Sequence, residues 1–97
     1  MDLARVAGSV VCSVKEHRLT GSKLLIVAPA KPDGSPSSEP PFVAVDLVGA
    51  GEGEVVVVSR GSPAARTVDP AGATVDAVIV GIVDSVQLAG RVVYAKD

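Results

Sequence analysis

Aromatic side chains are nearly missing from this chain: Phe42 and Tyr94 are the whole complement, 2% of the sequence, and there is no tryptophan. A core must therefore be built from Val, Ala, Leu and Ile, and valine, which dominates, is β-branched and favours strands. The same scarcity argues against a barrel face that stacks nucleobases, which needs aromatics on a basic groove. Basic residues are outnumbered as well. Nine Lys and Arg are scattered among eleven acids, giving a net charge of -2 and a pI near 5.2. No broad electrostatic footprint for nucleic acid or an anionic membrane is expected from that balance.

The lone cysteine, Cys12, rules out an intrachain disulfide and makes the cytoplasm the expected compartment. On its apolar stretch it reads as a small packed side chain. The lone histidine, His17, sits in the charged turn Glu16-His17-Arg18 with no Cys or carboxylate cluster at ligand spacing. Neither a metal site nor a Ser-His-Asp arrangement is expected there, and no cofactor or catalysis. No apolar run approaches the roughly 18 residues of a membrane span. Val6 to Val14 is apolar, but Asp2 precedes it and only Arg5 supplies positive charge, so it reads as mature structure rather than a signal peptide.

What the chain has in quantity is aliphatic surface. Its 97 residues, 47% of them hydrophobic, with a mean hydropathy of +0.43, suit one domain spanning residues 1–97. A domain of this size buries only about 60–65% of its unfolded-chain surface, so part of the apolar area is expected to meet another subunit.

Alternation of Val6, Val10, Cys12 and Val14 with polar residues, broken at Ala7 and Val11, predicts a first strand from Asp2 to Lys15. The run Lys23 to Ala28, stopped by Pro29, predicts a second strand buried on both faces. Ala30 to Pro41, with Pro32, Pro36, Pro40 and Pro41, reads as a mobile surface loop. Further strands are expected at Phe42 to Asp46, Glu54 to Ser59, within Val75 to Val86, and at Arg91 to Tyr94. Ser62-Pro63-Ala64-Ala65-Arg66 pairs a capping serine with a proline at the first helical position and predicts one short helix. The fold expected is all-β: a small closed barrel of five or six strands, OB-like, with one short helix.

Gly49-Ala50-Gly51-Glu52-Gly53-Glu54 has a nucleotide-loop look, but the dinucleotide pattern needs glycine where Glu54 stands and a helix where Val55 to Val58 reads as strand. The Walker lysine is absent too. Glycine at alternate positions points instead to close approach by another backbone, which could belong to a neighbouring subunit, or to a bend at a barrel corner.

Four segments carry a resemblance: Val6 to Val11, Leu19 to Leu25, Val43 to Val55 and Val75 to Asp84. In order and over most of the chain they resemble the bacterial microcompartment vertex proteins, the EutN/CcmL family. The most specific signals are Asp-x-x-Gly-Ala-Gly-x-Gly-Glu and Asp-Ala-x-Ile-x-Gly-Ile-Val-Asp. The resemblance implies a structural subunit forming a homopentamer at the vertices of a cytoplasmic polyhedral shell, with hexameric and pseudohexameric shell proteins as partners and no enzymatic activity. On that basis Gly49, Ala50, Gly51 and Gly53 permit tight subunit approach, while Asp46, Arg66 and Asp84 are candidates for interface or turn hydrogen bonds. Gly61 and Ser62 are the pore-facing candidates, in a segment one residue longer than the family's Gly-Ser-x-Ala-Arg. The Ala30 to Pro41 loop is expected outside, with little bearing on assembly. Two other readings stand beside this one: a co-chaperonin-like ring lid, and an OB-like module binding a small molecule or nucleic acid.

Overall fold

Valine-rich segments of five to nine residues pair here into a closed barrel, whose strand order is β1-β2-β3-β5-β4 and back to β1. The computed structural model describes residues 1–15, 17–19, 21–61, 63–64 and 75–97. The barrel strands are β1 (Asp2–Val10), β2 (Lys23–Pro29), β3 (Phe42–Asp46), β4 (Val55–Arg60) and β5 (Ala77–Ile82). All neighbours are antiparallel except β3 and β5, which run parallel with Val45 opposite Val78. Closure leaves no unpaired barrel edge for such adhesive strands. A separate hairpin of β6 (Ser85–Leu88) and β7 (Arg91–Ala95) follows. The expected all-β closed barrel is therefore found, and the predicted strand region Val75 to Val86 holds β5 and the start of a β6 that the sequence did not announce.

Inward-pointing residues fill the barrel: Ala4, Val6, Leu25, Val27, Ala44, Val56, Val58 and Ile79 are each at most 3% exposed. A second cluster, Val45, Ala64, Val75 and Val78, lies on the outer side of β3 and β5, with Leu19 and Leu24 against it. Leu24 meets this cluster without being fully covered by it, so the second strand is not buried on both faces as expected. Leu25 and Val27 point inward and are buried, whereas Leu24 and Ile26 are only half-covered.

Strand β1 ends at Val10, not Lys15, because its partner ends first: Val10 lies opposite Leu24 and β2 starts one residue earlier. Val11 and Val14 are then 94% and 90% exposed. Cys12 is exposed with them, which overturns its assignment to packing. Ala7, an exception to the alternation, is the extra residue of a bulge between Val6 and Gly8, and the bulge inverts the phase: Ala4 and Val6 lie opposite the buried Pro29 and Val27, Gly8 and Val10 opposite the half-covered Ile26 and Leu24. Pro63 and Ala64 are helical. The remainder of the predicted helix, with Ser62 and Arg66, lies outside the described residues.

The proline-rich loop is pinned rather than free. Ala30 bridges to Pro36, Lys31 N–H donates to the Ser35 carbonyl at 2.8 Å, and Ser35 N–H donates to Asp33 Oδ1 at 2.9 Å. Gly34 is buried with φ 86°, and a Cβ there would stand 2.7 Å from the Tyr94 ring. Only glycine satisfies both the conformation and the contact.

Candidate assembly interface

The corner between β3 and β4 is closed by its own side chains. Asp46, the last residue of β3, accepts the Val48 N–H on Oδ1 at 3.1 Å and the Ala50 N–H on Oδ2 at 2.9 Å. An aspartate at this place bonds backbone donors that a turn would otherwise leave unpaired. Glu54 does the same from the other side, accepting the Gly51 N–H on Oε1 at 2.6 Å. The Gly53 N–H donates to the Val6 carbonyl at 2.8 Å, and the Val6 N–H to the Glu54 carbonyl at 2.9 Å, so the corner is laced to β1.

The glycines have reasons inside the subunit. Gly49 and Gly53 hold φ 76° and 88° with open space where a Cβ would go, so their requirement is conformational. A Cβ at Gly51 would stand 3.3 Å from Glu54 Oε1. Ala50 is 0% exposed and belongs to the barrel core, which corrects its place among residues that allow subunits to approach. Beside the exposed Glu52 the corner shows apolar side chains outward: Leu47 is 49% and Val48 39% exposed, and Val43, on β3, is 47% exposed. Alternation gave the strand but not this display, because Leu47 and Val48 fall past the last ladder residue.

Arg5 links the corner to two distant segments. Its Nη1 donates to the Gly53 carbonyl at 2.7 Å, and Nε and Nη2 to the Gly34 carbonyl at 3.3 and 2.9 Å. The guanidinium also lies 5.8 Å from the Tyr94 ring centroid, within cation–π range. A planar fork of donors suits such a junction better than an ammonium would. The sequence reading passed over Arg5 because its partners lie 29 and 48 residues away.

The hairpin is rooted at this junction. Lys96 Nζ pairs with Glu54 Oε2, and the Lys96 N–H donates to the Asp84 carbonyl at 2.8 Å. Asp84 thus marks the start of the hairpin and is itself exposed. The Lys96 ammonium, together with the Gly51 N–H, holds the Glu54 carboxyl below its ordinary range, and Glu54 raises Lys96 in return. Beyond the root the hairpin bares apolar side chains, with Leu88 54% and Val92 58% exposed. Its tight turn places Ala89 and Gly90 at φ 54° and 76°, as the right-handed twist of a two-residue hairpin demands.

Gly61 is exposed, with φ 77°, and its N–H donates to the Asp76 carbonyl at 2.7 Å. Ser62 and Arg66 lie outside the described residues. Among the described residues no group of three His, Cys, Asp or Glu could hold a metal ion, and Asp46, Arg5, Glu54 and Lys96 are engaged with backbone groups or with one another in bracing the fold. The arrangement offers rigid apolar relief suited to contact with protein, on the corner and on the hairpin.

A family model described as ethanolamine utilisation protein EutN/carboxysome matches residues 1–84. The bacterial microcompartment shell vertex protein EutN of Escherichia coli K12 is 41% identical over 96 residues, covering 99% of this chain and 100% of that protein. The carboxysome shell vertex protein CcmL of Thermosynechococcus vestitus is 41% identical over 98 residues, covering 99% and 96%. The solved structure of GrpN, a pentameric microcompartment shell protein from Rhodospirillum rubrum, superposes with a TM-score of 0.82 at 44% identity, covering 92% of this chain and 100% of that one.

Proposed function

The chain belongs to the EutN/CcmL family, and from that premise we propose that five copies close into a ring that caps the vertices of a polyhedral bacterial microcompartment. The role is structural, not catalytic. The likeness to a pentameric shell protein over nearly the whole of both chains carries this reading. Physical reasoning supports it: a ring of identical subunits closes through a heterologous interface, and a chain this small with so much exposed aliphatic surface is suited to one.

A layer of six-fold tiles is flat, and it closes only where five-fold units add positive curvature. Hexameric and pseudohexameric shell proteins are the partners this geometry requires, and the cytoplasm is where such a shell forms. On this reading the Asp46 to Glu54 corner and Asp84 lie at the subunit contact, and Gly61 faces the ring axis. Native mass spectrometry of the purified chain should return a particle of five 9.7 kDa subunits; a lone subunit or a ring of another order overturns the reading. Co-expression with hexameric shell proteins should then give closed particles, where omission of the chain leaves open sheets or tubes.

A further inference from the structure

A ring that closes on itself needs two different patches on every protomer, one to give and one to receive. The chain carries two apolar patches on separate elements, one on β3 and the corner after it and one at the hairpin tip. In the order β1-β2-β3-β5-β4, strand β3 lies two strands away from the β1–β4 seam in either direction. The hairpin is rooted at that seam: Val83 N–H donates to the Val55 carbonyl at 2.8 Å, Lys96 pairs with Glu54, and Tyr94 lies against Arg5. Its exposed Leu88 and Val92 flank the Ala89-Gly90 turn at the end away from that root, while the exposed Val43 lies on β3 and Leu47 and Val48 just past its end.

We infer that in the ring the β6–β7 tip of one protomer seats on the β3 flank of the next, Leu88 and Val92 against Val43 and Leu47. The inference rests on the pentameric reading above and names the contact that closes it. A two-stranded hairpin is at best marginally stable in water without a third element to cover it, and this one pairs with no barrel strand. The charges match as well. Arg91, paired opposite Leu88 at the tip, is exposed. Asp76, also exposed, lines the groove beside Val43 together with Leu19, Leu24 and Val75. An apolar centre flanked by one cation and one anion fixes register as well as affinity. The corner then contributes through the side chains its glycines and Asp46 display, not through bare backbone.

The test uses the full chain with Cys12→Ser, so that the introduced thiols are the only ones. Leu47→Cys with Leu88→Cys, treated with a short bismaleimide, should give a ladder of linked subunits ending at five on a denaturing gel. Val14→Cys with Leu88→Cys should give none. Arg91→Asp should raise the concentration at which the ring dissociates by about tenfold or more, and Asp76→Arg added to it should restore assembly. A ring that stays five-membered while the Leu47–Leu88 pair fails to link, or that links through Val14 instead, overturns the docking and leaves the pentamer standing. A Cys12→Ser chain that forms no five-membered ring defeats the pentameric reading itself, and the docking with it.

Discussion

The barrel and the C-terminal hairpin are written in the same aliphatic alphabet, yet they stand in opposite relation to water. In the barrel Val27, Val56, Val58 and Ile79 are each 0% exposed, while in the hairpin Leu88 and Val92 keep more than half of their surface, 54% and 58%. The difference is one of closure. Five strands curled on themselves cover their own inner face, whereas two strands have no inner face to cover. An apolar residue in the barrel therefore contributes to the subunit's own stability, and one at the hairpin tip contributes only when a second body arrives.

The sharpest way to break that comparison is to truncate on each side of it. Ile79→Ala should cost about 2–5 kcal/mol, the range for emptying a packed aliphatic site, and should lower the denaturant midpoint of the isolated subunit strongly. Arg5→Ala tests the joint between the two regions. It removes charge-assisted bonds to Gly53 and Gly34, and should cost about 1.5–3 kcal/mol in chemical denaturation, with Tyr94 becoming more accessible to a quencher of its fluorescence.

Smaller effects separate the two functions of the corner. Asp46→Ala removes acceptors from the Val48 and Ala50 N–H groups and should cost about 1 kcal/mol. Gly53→Ala should cost a similar amount, about 1 kcal/mol, through its left-handed conformation alone, since no atom lies within 4 Å of the added carbon. Both losses should be visible in thermal melts of the unassembled subunit.

The smallest effect is the pH response of the hairpin root. Glu54 is depressed below its ordinary pKa of 4.5 by Lys96, so its contribution is whole above pH 4.5 and fades as pH falls through the lower folded value. Lys96 is raised above 10.5 by Glu54, so its contribution is whole below pH 10.5 and fades as pH rises through the higher folded value. The side-chain NMR shifts of Lys96 should move in those two windows and stay flat between them, and Glu54→Gln should abolish the acid-side movement. Leu88→Ala, by contrast, should leave the isolated subunit's stability within about 0.5 kcal/mol, as at ordinary surface positions.

Much of this architecture was legible in the chain. The sequence predicts the strand Phe42 to Asp46 with its observed bounds, and Glu54 to Ser59 within one residue at each end of Val55–Arg60, because alternating or continuous valine runs flanked by turn residues have few other uses. The errors have local causes. Lys15 was included in β1 because the apolar pattern outlasts the partner strand, and a pattern carries no information about where a neighbour stops. Cys12 followed it into a burial that does not occur. The corner is legible from its glycines, and of the two reasons the sequence offers for them, a neighbouring backbone or a bend at a barrel corner, the subunit itself displays the bend. The backbone places Gly49 and Gly53 in left-handed turns and buries Ala50.

By itself, then, the sequence determined the all-β class, most strand positions and the turn at Asp46 to Glu54. Each of these follows from β-branching, two-residue periodicity and turn chemistry, which act between residues close together in the chain. Only the tertiary structure decided that Arg5 binds Gly34 and Gly53, that the proline-rich loop is held against Tyr94, and that Val43, Leu47, Leu88 and Val92 are left exposed. Those outcomes depend on which strand lies beside which after closure, and adjacency across tens of residues is a property of the folded barrel rather than of any segment within it.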